Sequence, residues 1–249
     1  MRTTRNLCPV SWQRLALFAL IGASGHALSA GNEGDPVNIL LNWNLSLDAT
    51  GKITTLTPVD KDYQPALSEQ IAPLIRAWHF TPGKLDGHPA PTATTLRVEL
   101  VLEEGKDNKY DVRILWAATG PVYKHVTRPK YPLSAQRMHH EGGVQLRVDY
   151  DAEGNFTSVT EYNSTGQSQV DPALKTAAID TVRNWTVRPE MVAGHGVGGA
   201  VLVRVCFSLG ANDSCRWAEA GGKESRDSSA PIALTSAVGI DRGRIENMP

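Results

Sequence analysis

The sequence predicts an α+β protein made of two tandem small β-β-α-β units, each an antiparallel sheet with one packed helix. The first observation is an internal echo: "RAWHFTP" (76–82) and "RNWTVRP" (183–189) share the pattern Arg-x-Trp-x-[Phe/Val]-x-Pro and lie 107 residues apart. The second is an apolar stripe at helical spacing before each tryptophan. The third is a pair of alternating strands, joined by an Asp-x-x-Gly turn, before each stripe. This self-similarity indicates an internal duplication.

Each predicted helix has one apolar face that ends on a tryptophan. The second helix has Asp171 as an N-cap and Pro172 in its first turn. The first helix has the weaker cap Gln64 and carries Pro73, which we expect to kink or split it. We expect the tryptophans to close the two cores, with exposed ligand platforms as the alternative. The two faces consist of Leu67, Ile71, Leu74, Ile75 and Trp78, and of Leu174, Ala178, Val182 and Trp185.

Three strands are predicted around each helix. The first two form a hairpin that turns at "DATG" (48–51) in one unit and at "DAEG" (151–154) in the other. The third strand follows the helix and covers residues 96–102 in the first unit and 201–207 in the second. Alternation of apolar and polar residues predicts that one face of each sheet is covered by its helix.

Two predicted segments lie outside the repeat, and one glycine-rich loop lies within it. An extra strand, Tyr110–Ala117, leaves the first unit and is expected to cover the edge of its third strand. A short helix, Leu133–His140, precedes the second unit and gives it an additional N-terminal helix. The glycine-rich "GHGVGG" (194–199) is interpreted as a flexible connector.

The first 30 residues have the layout of a secretory signal peptide. The segment "MRTTRNLCPVSWQR" (1–14) contains three arginines and no acidic residue, and the apolar run after it ends in small residues. That run has 16 residues between Arg14 and Gly31, whereas a membrane span needs about 20. We therefore expect cleavage within Ala27–Ala30 and a periplasmic protein. The alternative is an uncleaved inner-membrane anchor, with the remainder of the chain facing the periplasm.

The predicted domain organisation follows from these boundaries. It comprises a signal peptide (1–30), the first unit with its extra strand (31–120), the second unit (121–217) and a tail (218–249). The tail is predicted to be mostly disordered because it is polar and rich in glycine and serine.

The charge balance argues against two classes of partner. Without residues 1–30 the chain has 22 lysines and arginines against 26 aspartates and glutamates. A mildly acidic chain without a basic stripe is a poor candidate for binding nucleic acid. It is equally poor for direct binding to an anionic membrane surface. Contact with a membrane is therefore expected only indirectly or through an uncleaved N-terminus.

Two cysteines, Cys206 and Cys215, remain after Cys8 leaves with the signal peptide. An even number of cysteines in an exported protein favours a disulfide. A metal site needs more ligands than these two thiols, so we expect neither a metal nor another cofactor.

No arrangement of residues predicts an enzyme. The cluster His139-His140-Glu141 lacks a spaced third ligand and is interpreted as a solvated helix end. The glycines of 194–199 follow a helix and precede a strand, the reverse of the order that binds phosphate. Ser164 has no ordered histidine and aspartate around it. An uncharacterised periplasmic enzyme is kept only as a second alternative function.

The second unit resembles the C-terminal domain of the TonB family of energy transducers. The resemblance covers residues 127–210, and the first unit, residues 36–103, is similar as a more distant copy. The matching motifs, in order, are "PKYP" (129–132), Ala135, "EGGVQLRVDYDAEG" (141–154), "STG" (164–166), Asp171, "AL" (173–174), "VRNWTVRP" (182–189) and "VLVRVCFSL" (201–209).

The resemblance implies a binding function. In the family, the Tyr-Pro segment and the last strand meet an extended receptor peptide by strand addition. The third strand of the second unit is therefore expected at an open sheet edge, with Leu202, Arg204 and Cys206 facing outward. The implied partners are N-terminal segments of outer-membrane transport receptors or other envelope proteins. The implied binding residues are Arg128, Lys130, Tyr131, Val201, Leu202, Val203, Arg204 and Val205.

One departure from the family defines the alternative function. Family transducers also have an inner-membrane helix and a long proline-rich spacer, and a second folded unit occupies the spacer's place here. A periplasmic protein-binding module is therefore the predicted function. A membrane-anchored transducer that couples the inner-membrane proton motive force to outer-membrane transport is the alternative.

Overall fold

The computed structural model describes residues 37–104, 110–162, 170–210, 215, 217–218, 224–225 and 231–241. The predicted signal peptide and Ser164 lie outside these residues. The fold is α+β, and the described strands pair in antiparallel fashion. Among the described residues, no helix combines the length and the apolar character that a membrane crossing requires.

The helices and strands follow one another in this order along the chain. The N-terminal half contains β1 (Val37–Leu47), β2 (Ile53–Pro58), α1 (Pro65–Arg76), β3 (Phe80–Thr81), β4 (Lys84–Leu85), β5 (His88–Pro89), β6 (Thr92–Glu104), β7 (Tyr110–Gly120) and β8 (Val122–His125). The C-terminal half contains α2 (Leu133–Arg137), β9 (Gly142–Tyr150), β10 (Phe156–Glu161), α3 (Pro172–Val182), β11 (Thr186–Arg188), β12 (Glu190–Val192), β13 (His195–Val197), β14 (Gly199–Phe207), β15 (Trp217–Ala218), β16 (Glu224–Ser225), β17 (Ile232–Ala233) and β18 (Gly239–Ile240).

The first core is the buried cluster between α1 and the sheet β2-β1-β6. Alternate residues of β1 point into it, and Trp43 at its centre is completely buried. The predicted stripe of α1 supplies Leu67, Ile71 and Ile75. Full burial of such a side chain contributes roughly 1.5–3 kcal/mol, so this alternation accounts for the packing of the helix on the sheet.

The second core lies between α3 and the sheet β10-β9-β14. The stripe Leu174, Ala178 and Val182 is buried against it, as predicted. The side chain of Asp171 caps α3 by accepting a hydrogen bond from the Ala173 N–H at 2.7 Å. Both cores therefore have a helix on an antiparallel sheet.

The glycine of each Asp-x-x-Gly turn explains why the turn and the tryptophan motif occur together. Gly51 and Gly154 have φ angles of 85° and 87°. A Cβ on Gly51 would lie 2.1 Å from the carbonyl oxygen of Phe80, and one on Gly154 would lie 1.9 Å from that of Val187. Each glycine thus packs against the strand that follows its tryptophan. The turn motif and the tryptophan motif therefore occur together because their residues form this one backbone contact.

The aspartate side chains of the two turns also make the same type of hydrogen bond to the backbone. Oδ1 of Asp48 accepts the N–H of Lys52 at 3.1 Å, and Oδ1 of Asp151 accepts the N–H of Asn155 at 2.8 Å. Aspartates favour such turns because their side chains bond to nearby backbone N–H groups. The two turns are therefore locally equivalent.

Three expectations about the helices and the connector need correction. Helix α1 runs unbroken through Pro73, which is exposed on its solvent side, so the helix is not split there. Helix α2 ends at Arg137 instead of His140, because His139 takes a φ of 56°. Part of "GHGVGG" is strand β13, which forms a hairpin with β12.

The two cores are also less separate than a tandem arrangement predicts. Strand β12 comes after Trp185, yet it pairs with β6 through Met191 opposite Ala93 and Val192 opposite Thr92. Strands from both copies therefore share one six-stranded sheet, in the order β13-β12-β6-β1-β2 with β7 also on β6.

The predicted disordered tail contains a structured segment. Residues 231–241, called the C-terminal segment below, contribute β17 to the sheet of the second core and β18 to β3. Val238 is buried in the first core. The assignment of 218–249 as disordered is thus wrong for 231–241, because its few apolar residues find partners far away in sequence.

Candidate partner-binding site

Strand β14 is the centre of the predicted site. It pairs with β9 over its whole length, from Gly199 opposite Tyr150 to Phe207 opposite Gly142. Val201, Val203 and Val205 are buried in the second core, as the sequence predicts. These valines fix the register of β14, because a shift of one residue would turn them to the other face.

The other side of β14 is not the open edge that the sequence predicts. Val201 and Leu202 pair with Ala233 and Ile232 of β17. The N–H of Leu234 donates to the carbonyl of Ala200 at 2.9 Å. The C-terminal segment therefore already lies along β14 as an added strand.

Two residues predicted to face outward are buried. Leu202 and Arg204 point away from α3, but their exposed fractions are only 8% and 5%. Arg204 lies opposite Gln145 of β9, which is buried as well. Arg204 is therefore not a surface charge that a partner meets in this conformation.

The disulfide predicted between Cys206 and Cys215 is formed, with 5.7 Å between the Cα atoms. Cys206 belongs to β14 and lies on the face opposite the second core. Cys215 is buried. The bond therefore returns the chain to the outer face of the strand.

The Tyr-Pro segment meets the end of β14. The ring of Tyr131 packs edge-on against Phe207, the last residue of the strand, with 5.5 Å between ring centroids. The Tyr131 hydroxyl donates to the carbonyl of His140 at 2.6 Å. Burial, together with the negative charge of Glu141, raises the pKa of Tyr131. Sequence reasoning thus placed Tyr131 and β14 correctly at one location.

The two cations of this segment, Arg128 and Lys130, are exposed. Both precede Tyr131 in the sequence, and both remain accessible to a partner. Arg128 and Lys130 are therefore the exposed charges that lie closest to Tyr131 in the sequence.

His140 forms a contact that the sequence interpretation missed. Its Nδ1 forms a hydrogen bond with Oδ2 of Asp171, the N-cap of α3. This bond is the largest cause of a lowered pKa at Asp171, and the bond from the Ala173 N–H adds to it. His140 therefore ties the Tyr-Pro segment to α3, although nothing in the pattern "HHE" distinguishes it from a solvated histidine.

A buried glutamate holds the C-terminal segment. Glu190 at the start of β12 is 2% exposed. Its Oε1 accepts the hydroxyls of Thr94 at 2.6 Å and Ser236 at 2.9 Å, and its Oε2 accepts the N–H of Ala237 at 2.6 Å. Burial and the charge of Glu190 raise the pKa of Tyr150 to about 12. Glu190 thus joins β6, β12 and the C-terminal segment.

Two further hydrogen bonds attach the segment to the first sheet. The Arg97 guanidinium on β6 donates to the carbonyl of Pro231. The Thr119 hydroxyl on β7 donates to the carbonyl of Val238 at 2.9 Å. The segment is thus anchored on the first core and reaches across to β14. The polar composition of 218–249 gave no signal for these contacts.

Within the described residues, no group of three or more histidines, cysteines, aspartates or glutamates is arranged to hold a metal ion.

Comparison with known proteins finds similarity in the part of the chain that contains this predicted site. Residues 127–209 match the family described as the C-terminal domain of the Gram-negative bacterial TonB protein. Over 86 residues the chain is 38% identical to "Protein TonB" from two strains of Xanthomonas campestris pathovar campestris. The match covers 34% of this chain and 37% of each relative, so it spans little more than a third of their length. No solved structure matches the chain.

Proposed function

We propose that this chain is a protein-binding module that accepts an extended partner segment on β14. The match of residues 127–209 to the family of TonB C-terminal domains supports this proposal. The partner class is the N-terminal segment of an outer-membrane transport receptor or of another envelope protein. Binding adds a strand to the sheet of the second core. Such binding needs main-chain donors and acceptors and no catalytic residue.

The observation that carries this proposal is the pairing of β17 with β14. An extended segment is already held at Val201 and Leu202 by main-chain pairing, so this edge accepts a strand. In the proposed function, the partner takes the place of β17.

Exchange is supported by the unequal attachment of the C-terminal segment. Its ladder with β14 includes two paired residues, and each hydrogen bond contributes only about 0.5–1.5 kcal/mol net. Its firmer contacts, those of Pro231 with Arg97, of Ala237 with Glu190 and of Val238 in the first core, lie on either side of the paired residues. Residues 232–234 can therefore leave β14 while the rest of the segment stays attached.

The proposed site comprises Arg128, Lys130, Tyr131 and the strand from Val201 to Val205. Tyr131 marks the Phe207 end of the strand. The exposed Arg128 and Lys130 favour a partner segment that carries acidic residues. Arg204 is buried, so in this proposal it supports the outer face of β14 and does not contact the partner directly.

The proposed location is the periplasm, after removal of residues 1–30. It is supported by the short apolar run and by the disulfide, since disulfides persist in oxidising compartments. N-terminal sequencing of the purified protein tests it. An intact N-terminus recovered from the membrane fraction would instead support the anchored transducer.

The binding proposal is tested by titrating acidic receptor N-terminal peptides into the full chain and following amide signals by NMR. We expect shifts at Val201 and Leu202 of β14 together with Ile232 and Ala233 of β17, because the peptide releases β17. Shifts confined to other strands, or absent altogether, would contradict the proposal.

A matched pair of variants at Leu234 makes the test sharper. Leu234→Pro removes the N–H that bonds to Ala200 and weakens the competing strand. Leu234→Ala keeps that N–H, and Leu234 is partly exposed, so the core is unaffected. We expect the proline variant to bind the peptide about fivefold more tightly than the alanine variant. Equal affinities would show that β17 does not compete.

A further inference from the structure

Among the described residues, one edge of strand β7 has no pairing strand over most of its length. One side pairs with β6, from Gly120 opposite Thr95 to Tyr110 opposite Glu104. On the other side, Thr119 and Gly120 meet the C-terminal segment. Within the described part of the chain, residues 110–116 have no backbone hydrogen bond on that side. Their outward-pointing N–H and C=O groups are therefore available to pair with another strand.

A β-bulge divides this edge. Trp116 lies opposite Glu99 while Ile114 lies opposite Leu100, so Leu115 is an extra residue. A bulge bends the strand and ends regular pairing. The regular part of the free edge is therefore residues 110–114.

The side chains of residues 110–114 alternate between two faces. Val112 and Ile114 pack against the first core. Asp111 and Arg113 lie on the opposite face and are exposed, and Arg113 forms an ion pair with Glu103 of β6. Charges on a free edge usually prevent it from pairing with another strand. Here the two charges have opposite signs and are two residues apart, so the edge is complementary to itself.

We propose that this edge pairs antiparallel with the same edge of a second copy of the chain, about a two-fold axis at Val112. In that register Asp111 of each copy lies opposite Arg113 of the other, and Tyr110 lies opposite Ile114. Opposite-charge pairs and aromatic–β-branched pairs are favourable directly across an antiparallel ladder. Two-fold symmetry makes each of these contacts twice.

A second copy is the favoured occupant because the edge itself supplies both members of each charge pair. The paired stretch is only residues 110–114, much shorter than the interfaces of permanent dimers. The dimer is therefore weak and reversible, and its ladder does not use β14, the strand proposed for the partner.

Sedimentation velocity of the full chain over a concentration series tests this assignment. The parent chain shows a reversible monomer–dimer equilibrium. Arg113→Asp and Asp111→Arg each place like charges opposite one another, and each weakens dimerisation by about tenfold or more. Thermal unfolding of each variant checks that its fold is retained.

An equimolar mixture of the two variants is the decisive arm. In a mixed pair every arginine faces an aspartate, so the mixture dimerises like the parent although each variant alone dimerises only weakly. The double variant Asp111→Arg/Arg113→Asp dimerises as well. A parent chain that stays monomeric, variants that associate like the parent, or a mixture that stays monomeric overturns the proposal. A monomeric parent would leave the edge to a peptide of another protein.

Discussion

The two cores differ most in how the outer edge of their third strand is covered. In the first core, β7 covers β6 at ten positions and follows it directly in the chain. In the second core, β17 covers β14 at two positions and comes from a segment that begins at Pro231. The proposed function depends on this difference, because it requires the long local hairpin to be a permanent cover and the short remote strand to be an exchangeable one. The proposal therefore assigns a closed edge to the first core and a binding edge to the second.

Truncation of the tryptophans tests whether the cores are equivalent in packing. Trp78 and Trp185 are both buried, and we expect each alanine variant to lose about 3–5 kcal/mol of unfolding free energy. Because β12 pairs with β6, we also expect one shared transition instead of two. If calorimetry shows that one core unfolds at a lower temperature while the other is unchanged, the prediction of a shared transition is wrong.

Alanine at the turn glycines tests the backbone contact common to both cores. Gly51→Ala and Gly154→Ala are each expected to cost about 3–4 kcal/mol, because left-handed strain is joined by a clash with a carbonyl. Gly87→Ala is the control, since Gly87 has a φ of 81° but no atom within 4 Å of the added Cβ. It should lose only about 1–2 kcal/mol in urea unfolding. Similar losses in all three variants would remove the contact as an explanation.

The disulfide is attached to the second core through Cys206 of β14. Cys206 and Cys215 are nine residues apart, and closing so short a loop contributes about 2–3 kcal/mol in the chain-entropy picture. We expect unfolding free energies of the parent to fall by that amount in reductant, and those of a Cys206→Ala/Cys215→Ala variant to be insensitive to it. A parent that is equally stable with and without reductant would show that the bond does not hold the outer face of β14.

The helix caps predict the smallest difference, in pH dependence. Asp171 has a lowered pKa through His140 and the Ala173 N–H, whereas Gln64 at the start of α1 makes no side-chain cap. The stability from Asp171 is therefore present above the unfolded pKa of an aspartate, about 4, and is lost as pH falls through the lower folded pKa. Asp171→Asn should flatten the stability curve of the protein below about pH 4. If the stability of the variant falls with pH as steeply as that of the parent in this acidic range, Asp171 does not have this role.

Most of both cores could be predicted from periodicity. The stripe that ends at Trp185 and the alternation of Val201, Val203 and Val205 each identify one buried face, and both faces are buried. These patterns involve residues close together in the chain, so a single sequence is enough to identify the buried faces. The two cysteines were equally informative, since their number and the predicted export signal already favoured a bond.

The parts that could not be predicted depend on partners distant in sequence. Glu190 is buried because Thr94, Ser236 and Ala237 satisfy its carboxylate. Arg204 is buried on a strand face that alternation alone assigns to solvent. A polar residue is buried only where such partners converge, and no periodic pattern reports that. The cover of β14 was missed for this reason.

Hydrogen exchange at the Leu234 amide is the most direct test of an exchangeable cover on β14. We predict that this amide, bonded to Ala200, exchanges through local opening at least about 100-fold faster than the amides of Leu96 and Val98 in β6. Added receptor peptide should speed exchange at Leu234 further and slow it along β14. Exchange of Leu234 only through global unfolding, at the same rate as β6, would show that β17 is a fixed part of the sheet and would contradict the account.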